Sequence, residues 1–332
     1  MDSLTQIALG AAVGEATLGR KVGNRAILWG AVCGTVPDLD VFIPFGDAVR
    51  DFVYHRGVSH SLFVLAMLTP LFAWLIVKFH PHTARYYRGW LLLVYLVFAT
   101  HVLLDSFTIY GTQIFWPFYT TPMTWGTIFI IDPAYTLPLL IGVTCALIAH
   151  REKRWGYRMN TAGLVLSSLY LAWTVGAKLH VESIARESLA RQGVEYSQLL
   201  ALPGPFNSVL WRLVVMDDRG YREGWYSLLD GTRDIRFSAA ASKPQLLQGI
   251  EDHWPVQRLR WFTKGFYSVS RVGTDVVITD LRMGWEPEYV FSFKVGEIGN
   301  PHAQPATPIR LPVVRTSERL GWIMRRIWTE SP

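Results

Sequence analysis

The 332-residue chain has only two cysteines, Cys33 and Cys145, and both fall within apolar stretches. The C-terminal region has none, which excludes a disulfide framework there. Charge is scarce as well: 17% of residues are Asp, Glu, Lys or Arg, against roughly 25% in soluble proteins. The basic residues form no stripe with interleaved aromatics, so the net charge of +6 does not describe a nucleic-acid surface, and no nucleic-acid partner is expected. The opening stretch MDSLTQIALGAAVGEATLG lacks the basic region of a secretory signal, and no cleavable signal peptide is expected. No internal repeat and no low-complexity linker is found.

Apolar residues make up half of the chain, and their long runs stop near residue 180. Four runs reach the roughly 20 residues needed to cross a bilayer: 61–79, 89–110, 129–149 and 161–181. Two weaker, Gly- and Ala-rich segments precede them, at 4–19 and 26–45, and small residues allow helices to pack closely inside a membrane. They are expected to form a helical hairpin or re-entrant element. Ten of the 13 Lys and Arg residues in this half lie on alternate connections: Arg20, Lys21 and Arg25; Lys78, Arg85 and Arg88; Arg151, Lys153, Arg154 and Arg158. The loop 111–128 has none. Basic loops stay cytoplasmic. The expectation is therefore a multi-pass protein of the bacterial inner membrane, with the stretch 38–60, the loop 111–128 and the C-terminal domain facing outward.

After about residue 185, strand-like runs at 209–216, 224–229, 265–271, 275–279 and 289–294 alternate with turn signals such as 217–220 and 230–231. The expected fold is an α-helical multi-pass membrane bundle, residues 1–182, followed by a small β-rich soluble domain, residues 183–332.

Acidic residues are distributed opposite to the basic ones. Asp2, Asp38, Asp40, Asp47, Asp51, Asp105 and Asp132 map to the outer half, while Glu152 is cytoplasmic. Three motifs share that outer zone. In PDLD, Pro37 breaks the helix, and Asp38 and Asp40 can both reach one cation in a turn; a capped loop is the ordinary alternative. In HRGVSH, Gly57 permits a tight turn that brings His55 and His60 together, or Ser59 caps the helix that follows. In HVLLD, His101 and Asp105 share one face of an apolar helix. Ionisable groups are costly there and usually line a functional cavity, although a buried His–Asp pair can also lock two helices.

Together the motifs point to a metal site built from Asp38, Asp40, His55, His60, His101 and Asp105 at the outer face. Asp38, Asp105 and His60 are also candidates for catalytic roles. Such a set suits zinc and accepts manganese or iron. One ion or two are compatible with six ligand candidates, and two would favour displacement at phosphorus. Asp132 reads equally as a ligand or a helix cap, Asp47 and Asp51 as solvated loop acids, and Glu15 as a buried packing acid. His80, His82 and His150 fall on the cytoplasmic side, and His253 and His302 are isolated. Trp116, Phe118, Tyr119 and Trp125 read as interfacial aromatics or as an apolar rim for an acyl chain.

At residues 1–19, 34–41, 55–62 and 101–118 the sequence resembles the predicted membrane-bound metal-dependent hydrolases, the family that includes the YdjM-like, LexA-regulated inner-membrane proteins. The hydrolase description of that family rests on similarity to zinc-dependent phospholipase C. It implies an all-helical core, and carried over residue by residue it points to the same six residues as zinc ligands or catalytic groups. One position departs: many relatives have His where this chain has Gln6, a poor zinc ligand, which leaves Gln6 to hydrogen-bond a ligand or water. The resemblance implies a metal-dependent hydrolase acting on a membrane lipid, a lipid-linked substrate or a phosphoester. The rivals are a non-enzymatic envelope protein with a structural metal or a His/Asp helix lock, and an ion transporter. Transport would need polar groups in the cytoplasmic half of the spans, where few occur.

Overall fold

The computed structural model describes residues 1–149, 153–313 and 317–329. His150, Arg151 and Glu152, assigned above to the cytoplasmic side, lie outside the described residues. The chain separates into two compact units, Met1–Ile43 with Arg56–Thr174, and Pro44–His55 with Val175–Pro332. The expected division at 182/183 thus differs in two respects. The break falls inside a helix, and the twelve residues 44–55, which run from beyond the PDLD motif to the first residue of HRGVSH, belong with the C-terminal unit.

The first unit opens with α1 (Ser3–Gly14), capped by Asp2 through the Thr5 amide at 3.1 Å. A π turn at Glu15–Gly19 leads into α2 (Arg20–Val22) and then α3 (Arg25–Thr35). The hairpin of α1 and α3 follows from its glycines: a Cβ on Gly10 would collide with the Gly30 carbonyl, one on Gly30 with the Gly10 carbonyl, and one on Gly34 with the Gln6 carbonyl. Backbone packs on backbone along the length of the pair, as small-xxx-small spacing permits in membranes. Glu15 is buried at the bend, as a packing acid should be.

A 3-10 turn at Pro37–Phe42 carries PDLD, and α4 (Ala48–Tyr54) follows. Next come α5 (Leu62–Phe79), α6 (Tyr87–Phe107), α7 (Pro133–Ala149) and α8 (Arg154–Arg191). The N-cap of α5 is Ser61, whose hydroxyl accepts from the Val64 amide; Ser59 has another use, described below. Among the described residues, three helices are long and apolar enough to cross a membrane: Leu62–Phe79, Pro81–Phe107 and Arg154–Arg191. Pro133–Ala149 is apolar but shorter. It starts four residues later than the apolar run because Pro133 pre-sets the first helical position and Asp132 caps the Ala134 amide at 3.0 Å. The 38 residues of α8 rise about 57 Å, well beyond the roughly 30 Å hydrocarbon core.

In the second unit the end of α8 buries Ala177, Val181, Ile184, Ala185 and Leu189 against Ala201, Trp211, Leu213 and Tyr226. The strands β1 (Gln198–Pro203), β2 (Leu210–Asp217), β3 (Gly220–Ser227) and β4 (Phe237–Ala241) form one antiparallel sheet in sequence order. After α9 (Trp254–Phe262), β5 (Tyr267–Val272) and β6 (Asp275–Asp280) pair with β9 (Ser292–Glu297) and β10 (Gln304–Arg310) in the order β10-β9-β6-β5. A small hairpin of β7 (Gly284–Trp285) and β8 (Glu288–Tyr289) lies between, and α10 (Ser317–Arg326) follows. A buried polar network ties the first sheet to the β7–β8 hairpin and to the residue that follows β6. Arg212 of β2 pairs with Glu223 of β3 and donates to the Leu281 carbonyl at 2.8 Å, while Tyr289 donates to Glu223.

The inserted α4 belongs to this unit for a plain amphipathic reason. Val49, Phe52 and Val53, at i, i+3 and i+4, are all buried. Asp47 caps the helix through the Val49 and Arg50 amides at 3.0 and 2.9 Å, and Asp51 accepts from the Phe45 amide at 2.7 Å. Asp47 is therefore a helix cap, whereas Asp51 is a solvent-exposed acid of the first turn of α4 that ties back the Phe45 amide.

Candidate metal centre

Four of the six expected residues converge. Single ligand atoms from Asp38, His60, His101 and Asp105 all lie within 4.8 Å of one another. Three local devices bring the four side chains in. The 3-10 turn after Pro37 swings Asp38 inward; the tight turn at Gly57 delivers His60; and the i,i+4 spacing on α6 presents His101 and Asp105 side by side.

The geometry is close to that of a four-coordinate ion. His60 Nε2 lies 3.4 Å from Asp38 Oδ1, 3.2 Å from Asp105 Oδ2 and 3.4 Å from His101 Nε2. His101 Nε2 lies 3.6 Å from Asp38 Oδ1 and 3.5 Å from Asp105 Oδ2. An ion with bonds of about 2.0–2.1 Å to nitrogen and oxygen has tetrahedral edges of about 3.3–3.4 Å. Two imidazole nitrogens and two carboxylate oxygens are a donor set that zinc accepts. Asp38 Oδ1 and Asp105 Oδ2 are buried with no hydrogen-bond partner, and buried acceptors left bare are costly. Three of the four side chains are closed off, with 0–1% exposure; Asp38 keeps 20% and marks the side by which the cluster reaches solvent.

Outer partners orient each ring so that Nε2 faces inward. The Gly34 carbonyl accepts from His101 Nδ1 at 2.8 Å. For His60, Ser59 supplies the link: its hydroxyl is 2.9 Å from Nδ1 and donates to Asp40 Oδ2 at 2.5 Å. Partners of this kind fix the tautomer of a ligating histidine. Asp40 therefore stands behind the cluster, 3.7 Å from His60 Nδ1, and also accepts from the Arg56 amide at 2.9 Å. His55 ends α4 in the second unit and is not among the four. Asp132 is used in capping α7 and accepts from the Tyr170 hydroxyl at 2.8 Å.

Sequence reasoning missed or misjudged several neighbours. Arg56 is buried, adopts a left-handed φ of 62°, and holds Nε 3.4 Å from Asp105 Oδ2 while its guanidinium sits over the Tyr110 ring. Gln6 donates from Nε2 to Asp105 Oδ1 at 3.0 Å and to the His101 carbonyl at 3.3 Å, so it braces two members of the cluster from α1. The Met1 ammonium also pairs with Asp105. Burial opposes ionisation of Asp38, but the facing rings of His101 and His60 outweigh it and hold the carboxyl well below the usual carboxylate range. Asp38 and Asp105 bring two carboxylates to the site, set against the Arg56 guanidinium and the Met1 ammonium, both of which pair with Asp105.

The apolar surroundings lie on the same elements. Leu39, Val41, Phe42 and Ile43 are exposed on and just after the PDLD turn. Phe63 and Phe118, both exposed, meet edge to face at 5.0 Å close to the HRGVSH turn.

Residues 1–181 match the model of the YdjM inner membrane protein family. The chain is also similar to the uncharacterized protein YfhP of Bacillus subtilis (strain 168), with 23% identity over 340 aligned residues covering 90% of this chain and all of that protein. No solved structure matches the chain.

Proposed function

The chain belongs to the YdjM inner membrane protein family, and from that premise we propose that it is a membrane-bound, metal-dependent hydrolase acting on a phosphoester or other lipid-linked substrate. The observation that carries the reading is the preformed cluster of Asp38, His60, His101 and Asp105, with two bare carboxylate oxygens turned toward two imidazole nitrogens.

These four residues are the proposed ligands, and zinc is the ion that suits them best. A divalent ion held there supplies Lewis acidity that stabilises charge on a phosphoryl or carbonyl oxygen. Ser59 and Asp40 hold the His60 ring, and the Gly34 carbonyl holds that of His101. Asp38, the member that reaches solvent, is the group placed to take a proton from an attacking water. The Arg56 guanidinium offers charge to an anionic substrate oxygen. The exposed Leu39, Val41 and Phe42 beside Asp38 support a substrate with an apolar portion, held with its polar end at the cluster. In the bacterial inner membrane, the charge pattern of the loops favours the extracytoplasmic side for the site and for the C-terminal domain.

A second reading is favoured by one observation: four protein donors form a closed shell, which is usual in structural zinc sites, whereas catalytic ones keep a position open. In that case the ion locks α6 to the two turns in a non-enzymatic envelope protein. Purified protein in nanodiscs distinguishes the readings. Under the hydrolase reading, His60→Ala and Asp105→Ala remove bound metal and turnover on a panel of lipid phosphoesters. Metal in the wild type without turnover on any of them supports the structural reading, and full metal retention in both variants defeats both.

A further inference from the structure

The residues that connect the two metal-site turns do not fold with the metal site. The chain leaves the first unit after Ile43, spends twelve residues in the second, and returns at Arg56. At the neck of this excursion Asp40 accepts from the Arg56 amide at 2.9 Å and from the Ser59 hydroxyl at 2.5 Å, and Ser59 in turn meets His60 Nδ1. At its tip, Phe52 of α4 sits among three rings of the C-terminal unit: Phe262 at 4.7 Å, Phe291 at 4.5 Å and Phe293 at 5.1 Å. Arg50, two residues earlier in α4, stacks over Trp254 at 4.4 Å. Neck and tip are the two ends of one short loop.

We propose that Phe52 is a positioning residue of the metal site, and that the C-terminal unit serves as the anchor for the loop whose neck orients Asp40, Ser59 and His60. The part concerning the ion rests on the metal reading above; the ordering of the neck does not. Twelve untethered residues would exert their full conformational entropy on the neck, where the two hydrogen bonds to Asp40 close the loop. Seating Phe52 among three aromatic rings removes that freedom at the tip, where burial of a large side chain is most favourable. This gives the β-rich unit a role toward the site that needs no substrate contact. Because such coupling is reciprocal, filling the site must also steady α4.

The test is hydrogen exchange and zinc titration on the full chain in nanodiscs, for the wild type, Phe52→Ala and Ile323→Ala. Ile323 is fully buried in a separate cluster with Leu210 and Ile327 of the same unit, so it controls for general loosening. In Phe52→Ala, amides 56–60 should exchange at least about tenfold faster, reporting local opening, and zinc affinity should fall by roughly tenfold, the low end for losing an outer partner of a metal ligand. Ile323→Ala should change neither, and Phe52→Leu should restore most of both. In the wild type, zinc should slow exchange across 48–54. Unchanged exchange at 56–60 in Phe52→Ala, or equal effects in Ile323→Ala, overturns the proposal. If Phe52→Ala does not accumulate, Phe52→Leu and the wild-type zinc effect decide. Faster exchange at 56–60 in a protein that binds no zinc removes the metal reading and leaves the anchor standing.

Discussion

Replacing Gly34 with Ala tests whether helix packing and metal geometry are one structure. A methyl at this position would stand 2.6 Å from the Gln6 carbonyl oxygen, and ordinary contact begins at 3.4 Å. The α1–α3 pair must therefore part by about 0.8 Å at this point. Both helices brace the site here. The Gly34 carbonyl accepts from His101 Nδ1 at 2.8 Å, and Gln6 donates to Asp105 at 3.0 Å. A displacement of 0.8 Å carried by either bond stretches it to about 3.6–3.8 Å, beyond hydrogen-bond range. Overpacking of this kind costs about 1–3 kcal/mol of stability, and loss of an outer partner weakens metal binding about 10–100-fold. The assay is zinc competition against a chelating dye with the protein in nanodiscs, together with thermal unfolding. Gly176→Ala is the control, because nothing lies within 4 Å of a Cβ there; it should leave zinc affinity unchanged and gain about 0.5–1 kcal/mol of helix stability. Wild-type zinc affinity in Gly34→Ala would refute the link between the glycine-packed hairpin and the site.

Ser59→Ala breaks the relay from Asp40 to His60 while sparing the four ligand candidates, so zinc binding should weaken by about tenfold with the fold intact by circular dichroism. Arg56→Gln should keep zinc but weaken the binding of inorganic phosphate to the zinc-loaded protein by about 10–100-fold, as expected for losing a hydrogen bond to a charged group; calorimetry reads this directly, and unchanged phosphate affinity removes Arg56 from substrate binding. Glu223→Ala leaves the Arg212 charge buried and should destabilise the C-terminal unit by about 3–5 kcal/mol, seen as faster exchange in β2 and β3; a change below about 1 kcal/mol would show that the pair is not needed.

The parts of the fold legible in the sequence were those written in periodicity and composition. The long apolar runs became α5, α6 and α8, and alternating β-branched and aromatic runs became β2, β3, β5, β6 and β9. The runs missed were β1, β4 and β10: QLLALP and FSAAA lack clean alternation, and QPATPIR carries two prolines. The helix α4 was missed because its seven residues fall between two stronger motifs, and its apolar side is matched only by rings distant in sequence. At the site, His101 and Asp105 were legible because a charge inside an apolar helix needs a reason. His60 and Asp38 needed only the topology of the loops. Arg56 and the Gly34 carbonyl were not legible as site members, since each acts through a contact between elements; Gln6 was marked by the resemblance, but its partners are Asp105 and the His101 carbonyl. Asp40 and His55 matched the motif by type, yet Asp40 turned to the backbone and hydroxyl of the next motif, and His55 left with α4.

The most direct test of the account is X-ray absorption at the metal edge of protein purified in detergent, with elemental analysis of the same sample. The account predicts one divalent ion per chain, bound by two imidazole nitrogens and two carboxylate oxygens at about 2.0–2.2 Å, and lost in both His60→Ala and Asp105→Ala. An ion-free protein that remains ion-free in excess zinc, or a bound ion with no imidazole in its shell, would contradict it.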